Sequence, residues 1–114
     1  MFTATNRFKV LPSAAHDFEQ RRLSREVYLH TLQGFQRFQL LRVPATDYYV
    51  LYVSSIEWAS RDNFEAWRTS EAFQKAHAPG RTNAHIGMHV APPAFEGFEV
   101  IQALNEQGQT LSKA

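Results

Sequence analysis

From Phe2 to Val10 the chain alternates residue by residue, and a period of two admits one local structure, a strand with two unlike faces. Phe2, Ala4, Asn6, Phe8 and Val10 share one face; Thr3, Thr5, Arg7 and Lys9 share the other. The first face reads as core except at its centre, where Asn6 places an amide. An amide buried without a partner costs on the order of 1–3 kcal/mol. Asn6 must therefore be tied to the protein, as most buried asparagines are, or placed to touch something else.

With 114 residues, 44% of them hydrophobic, the chain supports one domain around a single core. That domain is expected over residues 1–104, with 105–114 a loose polar C-terminal tail. A formal net charge of +1, with acids and bases interspersed, gives no basic stripe and argues against nucleic acid or a membrane surface as the main partner. The absence of cysteine excludes a disulfide framework and a thiolate metal site. No apolar run approaches the length of a membrane span, and the first strand begins without a signal peptide's apolar region, so the expected compartment is the cytoplasm.

Pro12 and Ser13 open a helix expected to run to about Leu32 and to stop at Gly34. Residues 35–43 read as a second strand and 48–58, rich in aromatic and β-branched side chains, as a third, joined across a turn at 44–47 into a hairpin. Ser60 is an N-cap candidate, with Asp62 in the first turn of a helix through Trp67. Ser70 and Glu71 restart a helix through His77, which Pro79-Gly80 ends. Residues 81–93, including His85 and His89, read as a long loop, and 95–103 as the last strand. This βαββαβ order is ferredoxin-like α+β: an antiparallel sheet with helices on one face. The uncovered face is best hidden against a second copy, so a homodimer is expected.

Three features converge on a site between helices and sheet and give Asn6 its company: His77, Trp67, which can equally be plain core, and the face of the first helix. His77, at the end of a helix whose apolar side is marked by Phe64, Trp67 and Phe73, can offer an imidazole to a metal or simply cap the last carbonyls. Projection of the first helix sets Phe18, Arg21, Arg25, Leu29 and Leu32 on one stripe, which suits an anionic ligand with an apolar body. The alternative stripe, through Leu23 and Val27, would leave both arginines solvated. Trp58 reads as packing alone. A metal site from His77, His85 and His89 matches no strong zinc spacing.

These residues resemble those of the IsdG-like heme-degrading monooxygenases, part of the dimeric α+β barrel superfamily. The resemblance is carried by Asn6, Gly34-Phe35, Phe38-Gln39-Leu40-Leu41-Arg42, Trp58, Phe64-Glu65-Ala66-Trp67, Ser70, Phe73 and Ala76-His77. It implies that His77 is the axial ligand to heme iron, Asn6 the distal hydrogen-bonding residue and Trp67 the bulky group that distorts the porphyrin. Arg21 and Arg25 fall where some members hold basic residues near the propionates, and Phe64 and Phe73 would line the slot. The implied activity is ring opening of heme, at once substrate and cofactor, by O2 and an external electron donor such as a reductase, giving an open-chain tetrapyrrole and free iron. Heme, an apolar disc with iron at its centre and carboxylates at one edge, suits those residue types. Two alternatives stay open: a cofactor-free monooxygenase of polycyclic aromatic substrates on the same fold, and a non-enzymatic heme-binding dimer.

Overall fold

The computed structural model of the chain describes residues 1–25, 28–44, 46–70, 73 and 88–113. The alternating segment is strand β1 (Phe2–Val10), and Phe2, Ala4, Phe8 and Val10 are all buried to 7% exposure or less. Asn6 is the break in that series, only half-buried. Strand β3 (Val50–Trp58) lies antiparallel to β1 in full register, Phe2 opposite Trp58 and Val10 opposite Val50, and repeats the pattern with Val50, Tyr52, Ser54, Ile56 and Trp58 inside. Strands β2 (Phe35–Arg42) and β4 (Ala94–Glu99) complete an antiparallel sheet in the order β2-β3-β1-β4, the ferredoxin-like arrangement.

Helix α1 (Ala15–Arg25) follows a 3-10 turn over Pro12–Ala14 and is shorter than the sequence suggested. A second 3-10 turn, Leu29–Thr31, replaces the last turns of the expected helix. Thr31 Oγ1 donates to the Tyr28 carbonyl at 2.7 Å, a local bond that competes with the helical ladder, and Leu29 turns inward to 1% exposure. Gly34 then reverses the chain at φ +81°, where a Cβ would also stand 2.2 Å from Asn63. Helix α2 (Arg61–Arg68) starts as expected: the Ser60 hydroxyl accepts from Asn63 N–H at 3.2 Å. Past its end the Ser70 hydroxyl accepts from Phe73 N–H at 3.2 Å, and Phe73 is helical, as the restart at Ser70 requires. The remainder of that expected helix, with His77, and most of the expected loop, with His85, lie outside the described residues.

The C-terminal segment departs from expectation. The strand read as 95–103 breaks after Glu99, and β5 (Gln102–Leu104) pairs antiparallel with β6 (Thr110–Lys113), so the residues expected as a loose tail form a hairpin. Asn105 Oδ1 accepts from the N–H groups of Gln107 and Gln109, both at 2.9 Å, and Gly108 takes φ +77°, which together close the turn. The hairpin exposes Ile101, Leu104 and Leu111, and the sheet surface opposite the helices exposes Leu41 and Phe98. Among the described residues no helix is long and apolar enough to cross a membrane.

Candidate functional site: a polar seam between two aromatic walls

The helix-facing sheet surface is divided in two. At one end Phe2, Ala4, Ile56 and Trp58 pack with Leu29, Phe64 and Trp67, mainly under α2. At the other Phe8, Val10, Val50 and Tyr52 pack with Phe18 of α1. Between them runs a cross-strand row, Leu40, Ser54, Asn6 and Phe95, one residue from each strand. Asn6 and Ser54 belong to neither cluster, and neither side chain hydrogen-bonds to another described residue. The break in alternation seen in the sequence is therefore a polar seam between the two clusters, with Ser54 3% exposed and Asn6 half-buried.

Aromatic rings stand on both sides of the seam. On the α2 side the Phe2 ring lies over Gly97, where a Cβ would come within 2.6 Å of its Cζ, and packs on Phe64 at 5.2 Å; Phe64 in turn stacks on Phe95 at 5.7 Å and 9° between planes. Trp67, 8% exposed, packs on Trp58 at 5.4 Å and edge-on to Phe73 at 4.9 Å, and its Nε1 donates to the Tyr28 hydroxyl at 3.1 Å. Trp58 is fully buried, and its Nε1 has no hydrogen-bond partner among the described residues. On the α1 side Phe18 packs on Phe8 and Tyr52 at 5.4 and 4.7 Å. The Arg22 guanidinium, 7% exposed, lies 5.0 Å over the Phe8 ring, and the His89 ring sits 6.0 Å from Phe8 and 5.9 Å from Phe18. His89 is held there by a bridge to Val10 and by the Val90 N–H donating to the Lys9 carbonyl at 2.7 Å. Burial, and secondarily the Arg22 charge, push the His89 imidazole below its usual value.

Of the residues the sequence singled out, Phe64, Trp67 and Phe73 come together under α2, and Asn6 stands on the same sheet face beside their cluster without joining it. Arg21 does not join them: it is exposed on α1, as is Leu23 of the alternative stripe at 64%. The buried edge of α1 is Phe18 and Arg22, spaced by one turn, so of the first projected stripe the fold buries Phe18 and Leu29 and leaves Arg21 exposed. The Arg25 side chain and His77 lie outside the described residues. Sequence reading passed over Ser54, Phe95, Arg22 and Tyr28, and weighed His89 only as a metal ligand. The first two follow once cross-strand register is known, and Arg22 follows from its i,i+4 relation to Phe18; nothing periodic marks His89.

Beside the seam, beyond Leu40, a cavity of about 260 Å³ is lined by Glu19, Leu23, Leu40, Arg42 and Tyr52. The Tyr52 hydroxyl donates to Glu19 Oε2 at 2.5 Å and Arg42 Nη1 donates to the same oxygen at 2.9 Å. Burial, reinforced by the Glu19 carboxylate, raises Tyr52 to about 12, while the Tyr52 hydrogen bond foremost holds Glu19 below its ordinary value. These three groups satisfy one another and brace α1 against β2 and β3. Among the described residues no three His, Cys, Asp or Glu side chains gather to hold a metal ion.

A ferredoxin-like sheet with two covering helices and a polar seam is a frame that many activities share, and comparison with known proteins makes the class specific. Residues 1–79 match the family model described as "Antibiotic biosynthesis monooxygenase", and the chain belongs to that family. It is 30% identical over 78 residues to a heme oxygenase (staphylobilin-producing) of Staphylococcus saprophyticus, covering 68% of this chain and 73% of that protein. The fold superposes on the heme-degrader MhuD of Mycobacterium tuberculosis, solved with two hemes bound in its active site, with TM-score 0.69 and 27% identity over 92% of this chain and all of that one, at 100%. It superposes equally on SnoaB, a cofactor-independent oxygenase of Streptomyces nogalater, with TM-score 0.68 and 25% identity over 92% of this chain and 97% of that one.

Proposed function

We propose that the seam binds heme and that the chain degrades it, opening the porphyrin with O2 and electrons from an external donor to give an open-chain tetrapyrrole and release iron. The observation that carries this reading is Asn6: a half-buried amide on a core strand face, between two aromatic walls, with no side-chain hydrogen bond to another described residue. Such an amide suits a ligand that is flat, apolar and polar at one point, and heme is that kind of molecule. Bound heme would supply the iron at which O2 is activated. The protein's own groups would do the rest. In this reading His77 would hold the iron and the Asn6 N–H would donate a hydrogen bond to the bound ligand, in a place sheltered enough for one hydrogen bond to count. Trp67, fixed by Tyr28 and by packing on Trp58, would press on the ring without itself moving. Arg21 and Arg25 are the candidate partners of the propionates, and Phe64 and Phe73 back the slot. The likeness to a heme oxygenase and to a heme-degrader supports the reading.

A second reading, a cofactor-free oxygenase of polycyclic phenols, is favoured by the likeness to SnoaB and uses the same slot and amide. Hemin titration followed in the Soret region, then ascorbate in air with catalase present, separates the readings. Heme degradation requires a one-per-chain complex whose Soret band decays with iron release. A stable complex supports a heme-binding dimer, and no complex supports the cofactor-free reading. His77→Ala should abolish the complex, and Asn6→Ala should keep it but slow its decay by about a hundredfold. We further propose a homodimer through the sheet surface carrying Leu41 and Phe98, forming a dimeric α+β barrel. Light scattering giving the mass of one chain would contradict it.

A further inference from the structure

Phe95 lies past residue 79, where the family match ends, and no motif drew attention to it. Among the described residues of β1 to β4 that face the helices, it is the large apolar side chain left exposed, at 52%. It stands directly opposite Asn6 in the β1–β4 ladder, so their Cβ atoms are neighbours at roughly 5 Å. Its ring is nearly coplanar with that of Phe64, 9° apart at 5.7 Å between centroids. An isolated exposed phenylalanine would need no explanation. This one continues a buried aromatic surface out to the sheet edge and holds a flat apolar face beside the amide.

Its placement is rigid for reasons written in the chain. Pro92 and Pro93 restrict the backbone just before β4. The ladder from Arg7–Ala94 to Phe2–Glu99 fixes the register, and the Thr5 hydroxyl donates to the Glu96 carbonyl at 3.1 Å on the far side. Gly97, which the Phe2 ring covers, leaves no side chain on β4 to compete with that ring for the space next to Phe64.

We propose that Phe95 is a positioning residue for the ligand of the seam. A planar polycyclic ligand would lie against the Phe64–Phe95 wall, and the fixed ring would decide which edge of the ligand meets the Asn6 amide. This rests on the seam being the site of a planar ligand, and it names the residue that sets orientation there. For a ring to be opened at one position, the disc must be prevented from turning in its slot. Shape at the sheet edge can do this where an iron ligand and a single amide cannot, because a central axial bond leaves rotation about itself free.

The test uses the full chain and four proteins: wild type, Phe95→Ala, Phe95→Leu, and Tyr48→Ala as an exposed aromatic control between β2 and β3, 80% exposed. Each is titrated with free-base protoporphyrin IX, which carries no iron and so does not depend on His77, and with hemin, following tryptophan fluorescence. The isomers of the open-chain product from hemin are then separated. Expected are about threefold to tenfold weaker binding of both probes by the two Phe95 variants, no change in Tyr48→Ala, and a changed isomer ratio in Phe95→Leu. Equal affinity and an unchanged isomer ratio in the Phe95 variants would overturn the role of Phe95 and leave the seam standing as a site. Equal loss in Tyr48→Ala would also overturn it. If wild type binds neither probe, the seam reading fails, and this one with it.

Discussion

The two aromatic clusters under the helices are built from similar residues and differ in what borders them. The α2-side cluster is almost wholly apolar: Phe2, Trp58, Phe64 and Trp67 with aliphatic neighbours, and its polar atoms are two indole N–H groups and the Tyr28 hydroxyl. The α1-side cluster, Phe8, Phe18 and Tyr52, is ringed by Arg22, His89, Glu19 and Arg42. The first is a rigid wall whose stability should not depend on pH, and the second carries charge to the edge of the same slot. That difference bears on why Asn6 sits between them: in the proposed reading the seam would offer an apolar side to the body of a ligand and a polar rim towards solvent, with the amide at the boundary.

The largest effects should come from emptying either cluster. Trp58→Ala and Phe18→Ala should each cost about 3–5 kcal/mol in urea unfolding, because both side chains are buried to 1% exposure or less. If one costs much less than the other, the picture of two equivalent walls breaks. A finer contrast lies within the α2 side. Trp67→Phe loses the bond to Tyr28, whereas Trp58→Phe removes an N–H that has no partner among the described residues. Both leave small voids, so Trp67→Phe should be the more destabilising by about 1 kcal/mol. Equal costs would mean that the Tyr28 bond contributes nothing.

The smallest effect expected is the pH dependence on the α1 side. His89 is held below its ordinary value of 6.5, so the unfolded chain takes up the proton first. The stabilisation is present above pH 6.5 and drains away as pH falls from there through the lower folded-state value. Wild type should therefore lose stability on acidification from pH 7.5, and His89→Gln should flatten that slope while Trp67→Phe leaves it unchanged. An unaltered slope in His89→Gln would show that another group is responsible.

How much of this was legible beforehand follows from the kind of order each part relies on. The strands and their ferredoxin-like arrangement were visible because alternation in β1 and the β-branched run of β3 are local signals, and Ser60 marked the start of α2 for the same reason. The end of α1 was misplaced because Thr31 and Leu29 prefer a 3-10 turn that only tertiary packing selects. The C-terminal hairpin was missed although Asn105 and Gly108 are turn residues, since its short strands carry little alternation. Within the site, Asn6 stood out as a single violation of a strict pattern. Arg22 was hidden by a projection that favoured its neighbour Arg21, and Phe95 and Ser54 have meaning only through register with Asn6. Local patterns reveal a wall, but the residue facing it across a sheet belongs to the topology.

The central claim is that Asn6 is kept for a ligand and not for the fold. It is tested most directly by measuring the unfolding free energy of Asn6→Leu, with the rate of hemin loss recorded on the same sample. The account expects stability equal to or up to about 1 kcal/mol above wild type, because an apolar side chain joins two apolar clusters, together with loss of hemin turnover. Destabilisation by more than about 1 kcal/mol with turnover intact would show that the amide serves the structure, and the seam would then be no site at all.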